Sequence, residues 1–193
     1  MKHAVGPRRE LGLRTLFNVL GPLTNPAGVK RQVLGVYDAA LCEPLAEVLA
    51  RLGSEHALVL HSDDGLDEIS IAALTRGFEL RAGDISPIEI DPAALGLAHT
   101  NLEGLKVETA ADSANLIRSA LAGDDDAVSI KARAIIALNA GAGIFVSGVV
   151  DSLASGVAAA EQAMASGAAA QKLEAFVAFT QALAQEHVGA PGS

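Results

Sequence analysis

The sequence predicts an α/β domain in which a largely parallel sheet is covered by helices. Three observations lead there: a strand-helix-strand pattern from Gln32 to His61, helical apolar stripes beyond Thr109, and a length of 193 residues, which supplies one sizeable core but not two. Apolar residues at 50% against aromatics at 3% put that core on Ala, Leu, Val and Ile and exclude a disordered chain.

The elements follow in order. Pro7 to Gly12 predicts a short helical turn, with Pro near its first position and Gly as its stop, and this turn carries Arg8. The apolar run Leu16-Phe17-Asn18-Val19-Leu20 ends in Gly21-Pro22-Leu23-Thr24-Asn25-Pro26, where the prolines and Asn predict a stiff extended loop. Gln32 to Tyr37 reads as a strand, and Leu41, Leu45, Val48, Leu49 and Leu52 then recur at helical spacing until Gly53 stops the helix. Ala57-Leu58-Val59-Leu60-His61 is a second buried strand, parallel to the first because a helix connects them. Phe78 to Arg81 and Ser86 to Ile90 read as short further strands, while Asp91 to Leu105 shows no period. Beyond Thr109, Leu116, Ile117 and Leu121 form one helical stripe, Ile130, Ala134, Ile135 and Leu138 a second, and Leu173, Phe176, Val177, Thr180 and Leu183 a third. Each stripe needs a partner, so the helices are expected to cover the sheet as one layered domain over residues 1–188, with 189–193 a flexible tail.

Charge and cysteine content narrow the function. A net charge of -9 repels a phosphate backbone and an anionic membrane, which argues against nucleic acid and membrane as partners. The single cysteine, Cys42, leaves no intrachain disulfide and no thiolate metal centre. It falls in the first turn of a predicted helix, where its pKa is expected to drop, but no nearby His makes it a nucleophile. The start lacks an apolar signal segment and no uninterrupted apolar stretch of about 18 residues occurs, so a cytoplasmic protein is expected.

The densest chemistry lies in His61-Ser62-Asp63-Asp64-Gly65-Leu66-Asp67-Glu68-Ile69-Ser70, which begins where a strand ends. Ligands of open α/β sheets bind at such ends, and Asp67 with Glu68 suits magnesium, which takes one or two carboxylates and completes its shell with water and phosphate oxygens. A solvated acidic loop would read the same way. Arg8, Arg9 and Arg14 form a basic cluster able to hold the carboxylate of a small acidic molecule, or to pair on the surface with Glu10. Asp124-Asp125-Asp126 precedes an apolar helix and reads as its cap. His3, His56, His99 and His187 lack metal-type spacing and read as surface or packing residues; His61 carries more interest because it leads into the acidic run.

Three segments together resemble the anthranilate phosphoribosyltransferase family: Met1-Lys2-His3-Ala4, Pro7 through Pro26, and Asp64-Gly65-Leu66-Asp67-Glu68-Ile69-Ser70. Leu138-Asn139-Ala140 and Ser166-Gly167 are similar to that family's C-terminal region. The family's N-terminal helical domain, glycine-rich phosphate loop, Asn-x-Ser/Thr segment and Lys-His-Gly-Asn-type segment are not in this sequence. The resemblance therefore implies the C-terminal part of such an enzyme, on the larger domain of a phosphoribosyltransferase/nucleoside-phosphorylase-like fold, inactive or nearly so alone. It further implies that Arg8 holds the anthranilate carboxylate, that Pro22 lines the substrate channel, and that Asp67 and Glu68 bind the Mg2+ accompanying phosphoribosyl pyrophosphate. Ser62 stands where the family more often has Gly, and Ala72-Ala73-Leu74-Thr75 replaces a Gly-Pro-Thr-like segment. The family's dimer contact lies largely in the absent helical domain, so a monomer is expected. The alternatives are a non-catalytic binding protein on the same fold and a relative of the nucleoside phosphorylases.

Overall fold

The computed structural model describes residues 21–189, with side chains through Gln185. The turn expected at Pro7 to Gly12, the residues Arg8, Arg9 and Arg14, and His3 lie outside the described residues, as does the side chain of His187. Strand β1 (Arg31–Gly35) leads through a single tight turn at Ala39–Leu41 into α1 (Cys42–Arg51), then β2 (His56–Ser62), β3 (Thr75–Arg81) and β4 (Asp84–Ile90). Helices α2 (Ala110–Ala122), α3 (Ala127–Ser147), α4 (Leu153–Ala165) and α5 (Ala168–Gly189) complete the chain.

The four strands lie in sequence order, β1-β2-β3-β4. As expected, β1 and β2 run parallel across α1, with Arg31 opposite His56 and Gly35 opposite Leu60. The expected largely parallel sheet is corrected to a mixed one, because β2–β3 and β3–β4 are both antiparallel. The cause is local at the second joint. Arg81 pairs with Asp84 across a two-residue turn, and Ala82 and Gly83 both take positive φ, 52° and 94°, as a hairpin matched to strand twist demands. β4 is an edge strand, and Pro87 within it removes one backbone donor from that edge.

β2 is buried on both faces and divides the core. Leu58 and Leu60 point toward Ala134, Leu138, Ala142 and Phe145 of α3. Ala57 and Val59 point the other way, toward Cys42, Leu45, Ala46 and Leu49 of α1. The sheet is thus covered by α1 on one side and α3 on the other, as the layered reading requires. Helix α3 is the one helix among the described residues long and apolar enough to span a membrane, and here that apolarity is spent inside the fold.

The caps follow the sequence. Asp126 Oδ1 accepts the N–H groups of Val128 and Ser129, both at 3.0 Å, so the last Asp of the acidic triplet caps α3 as expected. Thr109 caps α2 by accepting from Asp112 N–H, and Gly53 at φ 81° ends α1. The loop expected to be extended at Gly21 to Pro26 is corrected to a series of turns. Residues 21–23 are helical, and Asn25 then accepts Ala27 N–H on its side chain and Gly28 N–H on its carbonyl. Pro26 occupies the turn position that its fixed φ favours. The stripe expected to bury α5 is also corrected: Phe176 is 62% exposed, and Phe179, off that stripe, is 63% exposed. α5 touches only α4 and α2 with any extent among the described elements, which leaves that face uncovered.

Helices α3 and α4 cross at two glycines. A Cβ on Gly156 would lie 2.2 Å from the carbonyl oxygen of Gly141, and one on Gly141 would lie 2.6 Å from the Val157 nitrogen. Both obstacles are backbone and cannot rotate away. Gly156→Ala is therefore expected to destabilise the fold by about 1–3 kcal/mol through overpacking, read as a lowered midpoint in thermal or urea unfolding; an unchanged midpoint would show that the helices separate freely.

Candidate functional site

Because β1 and β2 are parallel, their C-terminal ends, Gly35 and Ser62, emerge on the same side of the sheet. The connection from Ser62 to its antiparallel partner Thr75 holds the acidic run. Its length, with no regular element inside, is typical of loops that carry function.

The loop is fixed by its own polar groups. Ser70 Oγ donates to Asp64 Oδ2 at 2.6 Å and accepts Ala72 N–H at 2.9 Å, while Ser70 N–H donates to Thr75 Oγ1 at 3.1 Å. Leu66 N–H reaches Asp64 Oδ1 at 3.3 Å, and Ser62 N–H donates to the Leu66 carbonyl at 3.0 Å. Arg76 on β3 binds Asp63 and also Glu89 on β4, the latter at 2.9 Å. Asp63 and Asp64 are thus engaged in holding the turn. Asp67 and Glu68 are exposed, and neither carboxylate has a hydrogen bond or ion pair among the described residues.

Backbone contacts set where this pair stands. A Cβ on Gly35 would lie 1.5 Å from the Asp67 carbonyl oxygen, so only glycine lets β1 pass beneath the turn. On the other side, Ile69 N–H donates to Asn139 Oδ1 at 2.9 Å, and Asn139 Nδ2 donates back to the Ile69 carbonyl at 3.0 Å. Asp67, Glu68, Gly35, Asn139, Ile135 and Ile136 line one concavity of about 330 Å³. His61, half-buried at the base of the loop, lies 2.8 Å from the Val36 carbonyl through Nδ1, which makes Nδ1 the donor.

Of the residues singled out from the sequence, Asp67 and Glu68 share this concavity. Pro22 lines a separate recess of about 150 Å³ with Leu23, Asn25, Lys30 and Leu49, and Arg8 lies outside the described residues. A larger concavity of about 630 Å³ lies between α2, α3 and α4 beside Arg133 and Glu161, and none of the predicted site residues lines it. Cys42 corrects the expectation of a lowered pKa: burial, reinforced by Asp38, pushes its thiol up to about 11. Desolvation outweighs the helix start there, and the residue packs against β2 as a small hydrophobe. His56 is buried, hydrogen-bonded to Glu79 at 2.8 Å and set edge-on to Phe145, which is the packing role expected of it.

Sequence reading gave no role to Gly35, Ser70 or Asn139, although the last two lie in segments it singled out. A glycine inside an apolar strand was a usable signal for close backbone approach. An Asn within an apolar helical stripe was another, since it must find a partner when the helix packs.

Asp64 gives the turn a pH dependence. Burial pushes its carboxyl up, but hydrogen bonds from the Ser70 hydroxyl and Leu66 N–H outweigh it and hold the group below its ordinary 3.8. A lowered carboxyl stabilises the fold fully above that ordinary value and loses the contribution as pH falls through the folded-state pKa. Ser70→Ala is expected to move the Asp64 midpoint upward in an NMR carboxyl titration. A midpoint that stays where it was would remove the hydroxyl as the cause.

With this geometry in place, the comparisons with known proteins are specific. The family model described as glycosyl transferase family, a/b domain, matches residues 1–170. The chain is 57% identical over 180 residues to an anthranilate phosphoribosyltransferase of Teredinibacter turnerae, covering 93% of this chain and 53% of that protein. It thus spans about half the length of the curated relatives it matches. The crystal structure of anthranilate phosphoribosyltransferase from Thermus thermophilus superposes with a TM-score of 0.81 at 39% identity, over 94% of this chain and 52% of that one. The Saccharomyces cerevisiae anthranilate phosphoribosyltransferase in complex with PRPP and Mg superposes with a TM-score of 0.77 at 28% identity, over 90% and 49%.

Proposed function

The chain belongs to the glycosyl transferase family whose a/b domain matches residues 1–170, and from that membership we propose that it forms the C-terminal part of an anthranilate phosphoribosyltransferase, with Asp67 and Glu68 as its magnesium ligands. One observation supports the ligand assignment above the rest. Of the four carboxylates in the turn, Asp63 and Asp64 are tied to Arg76 and Ser70, while Asp67 and Glu68, at the rim of a concavity, are unengaged among the described residues. Two hard oxygen donors fit magnesium, which needs few protein ligands when phosphate oxygens and water complete its shell. No cluster of three or more metal-type side chains occurs among the described residues.

Magnesium bound there would neutralise charge on the departing pyrophosphate. The chain's own residues supply placement. Asp67 and Glu68 hold the cation, Arg8 is assigned to the acceptor's carboxylate and Pro22 to the acceptor's path. The acceptor amine of anthranilate is a neutral nucleophile near pH 7, so orientation contributes more than a strong base.

A chimera placing the first half of the Teredinibacter turnerae relative ahead of this chain tests the reading. It is expected to consume anthranilate and phosphoribosyl pyrophosphate in the presence of magnesium, and Asp67→Asn with Glu68→Gln is expected to lower kcat about 10²–10³-fold. A folded chimera without turnover, or one whose turnover survives the double substitution, would overturn it.

A further inference from the structure

We propose that Asn139 is the positioning residue for the acidic pair, setting where Asp67 and Glu68 present their carboxylates; this rests on reading those two as magnesium ligands. Neither side chain is held by a neighbour among the described residues, so their placement depends on the backbone that carries them. That backbone is pinned at both ends. On the N-terminal side, Leu66 is tied to Asp64 and Ser62. On the C-terminal side, the residue directly after Glu68 is tied to Asn139 by two hydrogen bonds, Ile69 N–H to Oδ1 at 2.9 Å and Nδ2 to the Ile69 carbonyl at 3.0 Å.

The carboxamide can be oriented only one way. The Ile69 N–H requires an acceptor and the Ile69 carbonyl a donor, so the oxygen and nitrogen of Asn139 cannot be exchanged. The second Nδ2 proton goes to the Ile135 carbonyl at 3.0 Å, one turn back on α3, which locks the rotamer. Asn139 therefore acts as a rigid bracket, mounted on the buried helix α3 and reaching 70 positions back along the chain. Gly35 closes the opposite direction, since the Asp67 carbonyl already lies against β1 where a Cβ would be only 1.5 Å away. The turn can neither sink toward β1 nor lift from α3 without breaking one of these contacts. An asparagine that merely filled a polar position would satisfy one backbone group; this one fixes both polar groups of the residue next to a ligand. Supporting groups of this kind shift metal affinity even though they never touch the ion.

The test measures Mn2+, as a magnesium substitute, by electron paramagnetic resonance on the chain at fixed ionic strength, without reference to activity. The wild-type chain is expected to bind an ion that Asp67→Asn with Glu68→Gln releases. Asn139→Ala is expected to weaken that binding about 10–100-fold, and Asn139→Gln, which keeps both amide groups on a longer arm, to weaken it less. Gly156→Ala, placed at the helix crossing, serves as a destabilised control and is expected to leave affinity unchanged. If Asn139→Ala does not fold, the Asn139→Gln comparison decides alone. Wild-type affinity in the folded Asn139 variants, with binding still lost in the double carboxylate variant, overturns the positioning role and leaves the ligand assignment standing. Affinity that falls equally in Gly156→Ala reduces Asn139 to a stability role and also overturns it. A wild-type chain with no ion sensitive to the double substitution overturns the ligand assignment and this inference with it.

Discussion

The burial of β2 on both faces is the constraint on which the rest of the molecule depends. Leu58 and Leu60 pack against α3, Ala57 and Val59 against α1, and the strand pairs with β1 on one edge and β3 on the other. A strand so enclosed must be apolar throughout, and it is, from Ala57 to Leu60. It also cannot slide. The end of β2 is therefore a fixed point, and the turn that leaves Ser62 inherits a defined position relative to both β1 and α3. Asn139 and Gly35 can meet the loop only because β2 places its base within their reach.

Within that turn, local acidity and chemical availability separate. Counting carboxylates overstates the site, since Asp63 and Asp64 are consumed by Arg76 and by the Ser70 hydroxyl. Ser62 is integrated in the same network, donating to the Leu74 carbonyl at 3.3 Å. Two of the acidic residues act as scaffold and two as candidate ligands, and the polarity of the scaffold keeps Asp64 ionised beside them.

What the sequence made legible was what local chemistry decides. The strand-helix-strand unit, the stop at Gly53 and the cap at Asp126 each rest on residues a few positions apart, and all three stand in the structure. The antiparallel half of the sheet escaped because its turn, Ala82-Gly83, carries only one residue that advertises positive φ. Cys42 was misjudged for a different reason: helix position is visible in a sequence, but the burial that outweighs it comes from β2, and the charge of Asp38 adds to it. The bracket at Asn139 is harder still. Its partner Ile69 is 70 residues away, so no window of the chain contains both ends of the contact. The exposed Phe176 shows the converse, a helical stripe correctly periodic yet without a cover among the described elements.

A site built from two exposed carboxylates has a thermodynamic consequence under the magnesium reading. Exposed carboxylates keep most of their hydration, so their attraction for a bare cation is weakened by water and by salt. Magnesium also gives up its own water reluctantly and prefers an octahedral shell largely of water and phosphate oxygens. The turn then holds an isolated ion weakly and receives more tightly one already carried by a phosphate-rich substrate. Rigid placement matters more in that case than in a closed cage, because two ligands must meet a complex whose geometry is set elsewhere. The cost of holding them still is met by Ile69, Asn139 and Gly35 when the chain folds, before any ligand arrives.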